Sequence, residues 1–522
     1  MIHVRQWRRA SIAAALVGLT SSLVLYANRH YAGDVYWLLA AGRELWQDGL
    51  TDVDPFPTLS EGRVWNNQQW LAELFFYGLE RLGGMRAVSL AHSLVVALSL
   101  LPLLLGSRNR RLPEVLGAWV LLLPLLVALL DPRAAGFSLL CFSLLIVLVD
   151  GELRRWRVWL IPPLFVFWAN VHGAFLVGLL LFALVLVGGA LDARLGRRPE
   201  SFSARFLALG VALPAILLTP ITTGIFDYLE ALSGNPILPR LTFEWDPTWE
   251  HPALLLYVVA IAAFGVHLLR LHPSPRPLEP ALVTAGFCIL AVTATRHLVW
   301  LGPIAFYLLR RAGRPGRIAV SRRWSLPALG ASLALIGLWL AVIGPPPNER
   351  KLSTALAEHV AAHPRAGRVA AAPGTGSYLL WRAPGQAVTV DGRFENYTAD
   401  ELDGTYDVLA GERLELLERW AVHGLITRQS RGLPALGRAG FRVVRRAEGA
   451  FYLVRSATVA RSTPSRSVQL PSSALSAAAR SRGVSASLAR PSRRRRECAA
   501  CSWSSSAWRA KYETPGESGS NP

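Results

Sequence analysis

The sequence predicts an all-α polytopic membrane bundle that carries a small α/β domain near its C-terminus. Of its 522 residues, 52% are hydrophobic and only 17% are charged, whereas roughly a quarter of the residues in ordinary globular domains are charged. The apolar residues gather in blocks of about 15 to 22, a length that crosses a bilayer as a helix. Short arginine clusters separate these blocks and alternate with connections rich in carboxylates and tryptophan, as expected of a multi-pass topology.

The apolar blocks predict about eleven transmembrane helices. They are placed near residues 10–28, 86–106, 113–130, 134–149, 156–170, 173–191, 204–219, 252–271, 280–294, 297–310 and 325–343. The first block follows a basic segment and lacks a small-residue cleavage site. It is therefore interpreted as a retained signal anchor.

Arginine in the short connections predicts the orientation, because basic side chains resist translocation. The clusters before residue 10 and near 108–111, 154–157, 194–198, 270–276 and 310–323 occupy alternate connections and are assigned to the cytoplasm. The loops 29–85 and 220–251, and the turns near 131–133, 170–172 and 295–296, then lie outside. An odd number of spans places the N-terminus inside and the C-terminus outside.

Three domains follow from this organisation. Residues 1–344 form the transmembrane domain, and residues 345–458 form an extracytoplasmic α/β domain with predicted strands near 367–372, 387–391 and 423–427 and a hairpin over 441–455. Residues 459–522 are rich in Ser, Ala and Arg without an apolar period, which predicts a disordered tail. The Cys498 and Cys501 pair in that tail has no partner pair nearby, so it does not predict a zinc site.

The formal charge of +20 does not indicate a nucleic-acid-binding protein. The arginines lie in topological clusters and do not form one stripe interleaved with exposed aromatics. The sequence also lacks a phosphate-binding loop, a dinucleotide fingerprint, a Ser-His-Asp order and a metal-ligand cluster. No resident cofactor or metal is predicted, although a divalent cation bound by a carboxylate stays open.

The first outside loop contains the leading candidate for chemistry. Asp34 follows the first span closely, so it is expected near the bilayer surface. A carboxylate there can act as a general base on a hydroxyl or hold a cation that neutralises a phosphate, and helix capping is the structural alternative. Asp54 is a possible second acidic group, with turn formation before Pro55 as its alternative.

Further polar candidates lie in the other outside connections. Asn170 and His172 occupy a turn too short to leave the membrane surface, where polar groups must be paired or face a cavity. Arg296 is suited to bidentate phosphate binding. Glu244 and Asp246, in the loop 220–251, are possible second carboxylates. The structural alternatives are that His172 makes an interhelical hydrogen bond and that Arg296 anchors the chain at the membrane interface. Glu244 and Asp246 have a structural role as their alternative.

A set of short motifs resembles bacterial multi-spanning proteins of the GT-C glycosyltransferase type. The motifs are Gly33-Asp34-x-Tyr-Trp, Asp54-Pro-Phe, Gln69-Trp70-Leu71-x-Glu73, residues 167–173, Glu244-Trp245-x-Pro247, Gly376-Ser377-Tyr378 and Val390-Asp391-Gly392-Arg393. The resemblance implies a polyprenyl-phosphate-linked sugar donor and a catalytic acidic residue in the first outside loop, which is Asp34 here. Many such enzymes have an acidic pair at this position, whereas Val35 follows Asp34 in this chain.

The sequence thus favours sugar transfer outside the bacterial cytoplasmic membrane, from a lipid-linked donor to an envelope glycan, lipid or protein. In this hypothesis Arg296, His172 and Asn170 contact the donor phosphate. The alternative is a non-enzymatic protein of the same topology, either a transporter or an envelope assembly scaffold. The predicted spans carry few ionisable residues near their centres, whereas transporters usually place such residues at mid-span.

Overall fold

The computed structural model describes residues 33–107, 110, 112–128, 131–149, 155–197, 202–234, 238–313 and 352–456. The first and last predicted spans and the predicted tail lie outside these residues. Three described helices are long and apolar enough to cross a membrane: Trp70–Leu103, Phe175–Arg194 and Pro252–Leu271. Five shorter apolar helices accompany them, at Pro113–Leu122, Ala135–Leu148, Val158–Val171, Ser203–Ala215 and Leu278–Thr293.

Twelve helices are described before residue 314. They are α1 (Asp34–Asp48), α2 (Trp70–Ser107), α3 (Leu112–Ala128), α4 (Ala135–Leu148), α5 (Ile161–Val171), α6 (Phe175–Arg194), α7 (Phe202–Ala215), α8 (Gly224–Gly234), α9 (Leu238–Leu241), α10 (Pro252–Leu271), α11 (Leu278–Thr293) and α12 (Leu301–Arg311). Helix α2 is bent at Gly83 and Gly84, where the backbone leaves helical geometry. It begins within the segment that the sequence assigns to the first loop.

One end of the bundle is held together by buried charge. Arg110 donates to the carbonyls of Ala312 and Gly313, and Arg311 pairs with Glu279 at the start of α11. The Asp192 carboxylate accepts the backbone N–H groups of Leu278 and Glu279. These contacts join the connections that the sequence assigns to the cytoplasm. Because an unpaired buried charge is costly, their pairing stabilises this end of the bundle.

The C-terminal domain contains a four-stranded sheet, which is one strand fewer than the sequence predicts. Its elements are α13 (Thr354–Ala362), β1 (Arg368–Ala371), α14 (Pro373–Arg382), α15 (Ala399–Leu409), α16 (Glu415–Arg419), β2 (Val422–Thr427), α17 (Leu433–Arg438), β3 (Phe441–Ala447) and β4 (Ala450–Arg455). The strand order is β1-β2-β4-β3, with β1 parallel to β2 and the other pairs antiparallel. The segment predicted as a strand at 387–391 forms only a bridge, between Val388 and Val369.

The C-terminal domain packs directly on the first loop. Helix α1 lies between α2 and α14, and the Arg43 guanidinium donates to the carbonyls of Leu380 and Trp381, both at 2.9 Å. Gly42 permits the close approach of α1 to α2, since a Cβ there would lie 2.3 Å from the carbonyl oxygen of Glu73. The position of α1 is therefore fixed from both sides.

A buried arginine joins the same two parts of the chain. Arg393, which is 1% exposed, donates to Asp54 Oδ1 at 3.0 Å and to Asp391 Oδ2 at 2.6 Å. Its guanidinium also lies 4.4 Å from the centre of the Phe56 ring and 4.9 Å from that of Trp65. One cation thus neutralises two buried carboxylates and stacks against first-loop aromatics.

Candidate active site

Asp34 lies at the N-terminus of α1, directly after a glycine that turns the chain. Gly33 has φ of 89°, a conformation that glycine adopts without strain. Asp34 is in the first helical turn, where a carboxylate is stabilised by the unpaired backbone N–H groups and the helix dipole. The turn directs the chain so that Asp34 meets the connections before α4 and before α10.

Arg133, in the connection before α4, links two carboxylates. Its guanidinium lies 2.8 Å from Glu244 Oε1 and 3.9 Å from Asp34 Oδ2. Arg133 lowers the pKa of Glu244. Desolvation raises the pKa of Asp34, while Arg133 and Arg296 oppose that rise. The Asp34 side chain nevertheless keeps 45% of its surface exposed. Asp34 is therefore a carboxylate that lies among protein groups in a cleft and is accessible to a ligand.

Arg296 lies in the short helical turn Thr295–Trp300 after α11. Its guanidinium stacks over Trp245, 4.2 Å from the ring centre. Among the described residues it has no carboxylate within ion-pair distance, although the charges of Asp34 and Glu244 reach it. Burial lowers its pKa, yet an arginine stays protonated at physiological pH. Arg296 is therefore an oriented cation available to an anionic ligand.

His172 is held as a neutral imidazole at the C-terminus of α5. Its Nδ1 accepts the N–H of Ala174 at 3.3 Å and lies 2.8 Å from Ser138 Oγ, which itself accepts the indole N–H of Trp168. Burial lowers the pKa of His172 to about 3, with the Arg296 charge adding to the effect. Because Nδ1 is an acceptor, the proton of the neutral ring is on Nε2. His172 is thus arranged to donate a hydrogen bond.

The Asn170 amide makes hydrogen bonds that join neighbouring segments of the bundle. Its Oδ1 accepts the indole N–H of Trp70 at 2.7 Å, and its Nδ2 donates to the carbonyls of Val166 and Leu218. It also borders a cavity of about 550 Å³. The cavity is lined by Trp70, Leu71, Val166, Phe167, Asn170, Leu217, Leu218, Thr219, Pro220 and Thr222. The cavity is therefore mostly apolar, with one amide at its wall.

The three predicted second carboxylates occupy different environments. Glu244 shares Arg133 with Asp34. Asp54 is 2% exposed, and its oxygens accept from Phe56, Ser60, Arg393 and Asn396, so it joins the first loop to the C-terminal domain. Asp246 is fully buried and pairs with His251 at 3.0 Å. Its carbonyl accepts the N–H of Thr295, which holds the loop containing Glu244 against the turn containing Arg296.

Sequence reasoning missed three residues near Asp34, namely Arg133, Tyr228 and Glu395. Arg133 had a signal, since it is an arginine in a connection assigned to the outside. Tyr228, on α8, is 6% exposed and interacts electrostatically with Asp34, Arg296 and Glu395. Glu395 follows the buried Arg393 by two residues, but only the folded structure brings it near Asp34.

The described residues contain no group of three or more His, Cys, Asp or Glu side chains placed to hold a metal ion. The polar groups of the cleft are instead two arginines, a neutral histidine and carboxylates. This combination can bind a phosphate on one side and a hydroxyl on another.

The chain has the fold of GT-C glycosyltransferases, a class of polytopic membrane proteins, which confirms the predicted resemblance at the level of fold. No family model and no curated protein sequence matches it. The arabinofuranosyltransferase AftD from Mycobacteria superposes with a TM-score of 0.51 at 14% identity, over 86% of this chain and 40% of AftD.

Two other solved structures superpose less closely. ArnT from Cupriavidus metallidurans, bound to undecaprenyl phosphate, gives a TM-score of 0.47 at 14% identity, over 87% of this chain and 99% of ArnT. The oligosaccharyltransferase of Archaeoglobus fulgidus, in complex with Zn and sulfate, gives 0.48 at 10% identity, over 79% of this chain and 67% of that enzyme.

Proposed function

We propose that the chain is a membrane glycosyltransferase of the bacterial cytoplasmic membrane. It moves a sugar from a polyprenyl-phosphate donor to a hydroxyl group of an envelope glycan, lipid or protein on the extracytoplasmic side. One observation carries the proposal: a partly exposed carboxylate, Asp34, interacts electrostatically with Arg296, a stacked arginine without an ion pair among the described residues. The fold supports it, because GT-C glycosyltransferases share this arrangement of helices.

The proposed transfer inverts the configuration at the anomeric carbon. The acceptor oxygen forms a bond to that carbon while the bond to the phosphate oxygen breaks, and the phosphate leaves with the electron pair. Arg296 stabilises the negative charge of the leaving phosphate, Arg133 adds to the positive field, and His172 donates from Nε2. Asp34 takes the proton of the acceptor hydroxyl. Its raised pKa favours that role, because an effective general base has a pKa closer to neutrality.

In this proposal the polyprenyl chain lies in the apolar cavity beside Asn170. Its lining includes residues of the apolar helices Trp70–Leu103 and Val158–Val171. Asn170 then acts by holding α5 to Trp70 and to the connection after α7, so that it shapes the donor site without contacting the phosphate. A mostly apolar wall with a few polar groups is the usual lining of a ligand cavity of this size.

The proposal includes about eleven spans with the N-terminus inside and the C-terminal domain outside. It is supported by the way the outside connections meet around Asp34 while the arginine-rich connections meet at the other end of the bundle. A reporter fused next to Trp65 should be active only outside the cytoplasm. Cytoplasmic activity of that fusion would contradict the orientation.

Replacing Arg296 with alanine should weaken the binding of undecaprenyl phosphate about 10- to 100-fold, because a charge-assisted hydrogen-bond pair is lost. The measurement is native mass spectrometry of the purified full chain titrated with undecaprenyl phosphate. R296K should bind undecaprenyl phosphate with intermediate affinity, since lysine keeps the positive charge but cannot make the bidentate hydrogen bonds of arginine. R270A is the matched control, because Arg270 is an exposed residue in the last turn of α10. Equal affinities of R296A and R270A would exclude Arg296 from the phosphate site.

A further inference from the structure

The segment 391–397 of the C-terminal domain is anchored on both sides of Glu395. Before it, Arg393 is paired with Asp54 and Asp391. After it, Asn396 Nδ2 donates to Asp54 Oδ2 at 3.2 Å, and the Tyr397 hydroxyl accepts the backbone N–H of Asp391. The backbone of Glu395 is therefore held in place by contacts of its neighbours, an arrangement that positions a functional side chain accurately.

The Glu395 carboxylate has no ion pair and no side-chain hydrogen-bond partner on another residue in the part of the chain that the structure describes; only its own backbone N–H reaches it, although it is only partly exposed. Nearby carboxylates differ in this respect. Asp391 is paired with Arg393, and Glu401 is paired with Arg63. A partly buried carboxylate without such partners is unfavourable unless a ligand or water satisfies it. The carboxylate of Glu395 is therefore free to accept a hydrogen bond from a ligand.

The anchored segment borders the same cleft as Asp34. Gly392 packs against Trp37, since a Cβ there would lie 2.8 Å from the indole ring. The Trp37 indole N–H is buried without a hydrogen-bond partner of standard geometry among the described residues, yet it lies close enough to lower the pKa of Asp34. The turn Phe394–Asn396 also contacts α8, which carries Tyr228. One indole ring thus separates this loop from Asp34.

The charges divide the cleft into two sides. On the side formed by the bundle, Arg133 is paired with Glu244, whereas Arg296 has no ion pair among the described residues, which suits this side to a phosphate. Glu395, contributed by the C-terminal domain, makes the other side negative, and a phosphate would be repelled there. A hydroxyl-bearing ligand can donate hydrogen bonds to a carboxylate, so the second side is suited to a neutral, hydroxyl-rich molecule.

We propose that Glu395 is the acceptor-binding carboxylate of this site: it accepts a hydrogen bond from one hydroxyl of a neutral acceptor glycan while Asp34 acts on the hydroxyl that receives the sugar. This inference rests on the proposed function and adds the class of acceptor and the domain that binds it. It also gives the C-terminal domain a direct part in substrate recognition.

The ionisation of Glu395 makes acceptor binding depend on pH. Burial raises the pKa of Glu395 to about 7, Asp391 and Asp34 raise it further, and Arg393 opposes the rise. Tyr228 on α8 and Glu73 on α2 also interact electrostatically with it. Because the carboxylate is the better acceptor of hydrogen bonds, acceptor binding should strengthen as the pH rises from 6 to 8.

The test measures transfer by the full chain in membranes. Membranes from cells grown on [14C]glucose supply labelled lipid-linked sugars, and a delipidated envelope fraction from cells lacking the chain is titrated as acceptor. At pH 8 we expect E395Q to need about tenfold more acceptor for half-saturation, because a charged hydrogen bond becomes a neutral one. Its maximal rate should stay within about threefold of the unmodified chain. The pH dependence of half-saturation should disappear in E395Q. E415Q is the matched control, since Glu415 is 69% exposed on the same domain.

The outcomes separate the two proposals. If D34N abolishes transfer but E395Q has the half-saturation of the unmodified chain, the acceptor role of Glu395 is wrong and the proposed function stands. If E395Q lowers only the maximal rate, the acceptor role is also wrong. If the unmodified chain transfers no more label than D34N, the proposed function itself fails. E395A provides a second variant, whose half-saturation should rise at least as far, and size-exclusion chromatography of both variants in detergent checks that they are folded.

Discussion

Asp34→Asn should lower sugar transfer by at least about 100-fold without impairing membrane insertion, the lower end of the effect of losing a general base. An asparagine of the same size preserves the first turn of α1 but cannot take a proton at neutral pH. It also leaves Arg133 paired with Glu244, so the cleft keeps its shape. The measurement is incorporation of labelled sugar into the delipidated envelope fraction by membranes that contain equal amounts of each variant.

Asp48→Asn is the matched control for this prediction. Asp48 ends the same helix, is exposed and is remote from Arg133. Its replacement should leave transfer within about twofold, since exposed substitutions away from structural features have small effects. Normal incorporation of labelled sugar by D34N would contradict the catalytic role of Asp34 and favour a non-enzymatic scaffold of the same fold.

Arg393→Met should destabilise the packing of the C-terminal domain on the first loop by about 3–5 kcal/mol, the cost of breaking a buried ion pair from one side. Methionine fills similar space between Phe56 and Trp65 but leaves the carboxylates of Asp54 and Asp391 buried without their shared cation. Cleavage of residues 49–69 by protease in increasing urea measures the effect. We expect cleavage at a clearly lower urea concentration than for the unmodified chain.

The corresponding surface substitution, Arg455→Met, provides the comparison. Arg455 pairs with Glu418, whose side chain is 77% exposed, and such pairs contribute less than about 1 kcal/mol. Equal urea dependence of R393M and R455M would show that the Arg393 network does not hold the two parts together.

The membrane class, the GT-C fold and the small sheet domain could be predicted from the sequence because each depends on local patterns. Apolar blocks reveal helices by their length, and the hairpin over β3 and β4 is marked by the Glu448-Gly449 turn. The sequence does not predict helix α14, because Pro373, Gly374 and Gly376 are poor helix formers and interrupt its apolar period. The bridge at Val388 replaces a predicted strand because the segment pairs with both β1 and the first loop through a few hydrogen bonds.

The site was only partly predictable, because its members come from connections far apart in the chain. Asp34 and Arg296 could be selected individually, from their position at the predicted membrane surface. The pairing of Arg133 with Glu244 spans 111 residues, and no local pattern specifies it. The buried position of Asp54 depends on its ion pair with Arg393, which is 339 residues away and cannot be inferred from the neighbours of Asp54 in the sequence. Glu395 has no distinguishing neighbour in the sequence except the motif that precedes it.

The distance along the chain between Asp54 and Arg393 also bears on biosynthesis. The first loop is made early, yet its buried carboxylate acquires a counter-ion only after more than three hundred further residues have been synthesised and the C-terminal domain has folded. Until then α1 lacks α14 on one side, and Asp34 is not held in its final position. In the proposed function, a nascent chain that ends before Arg393 should therefore be inactive, and the Asp34 site would be completed among the last events of assembly.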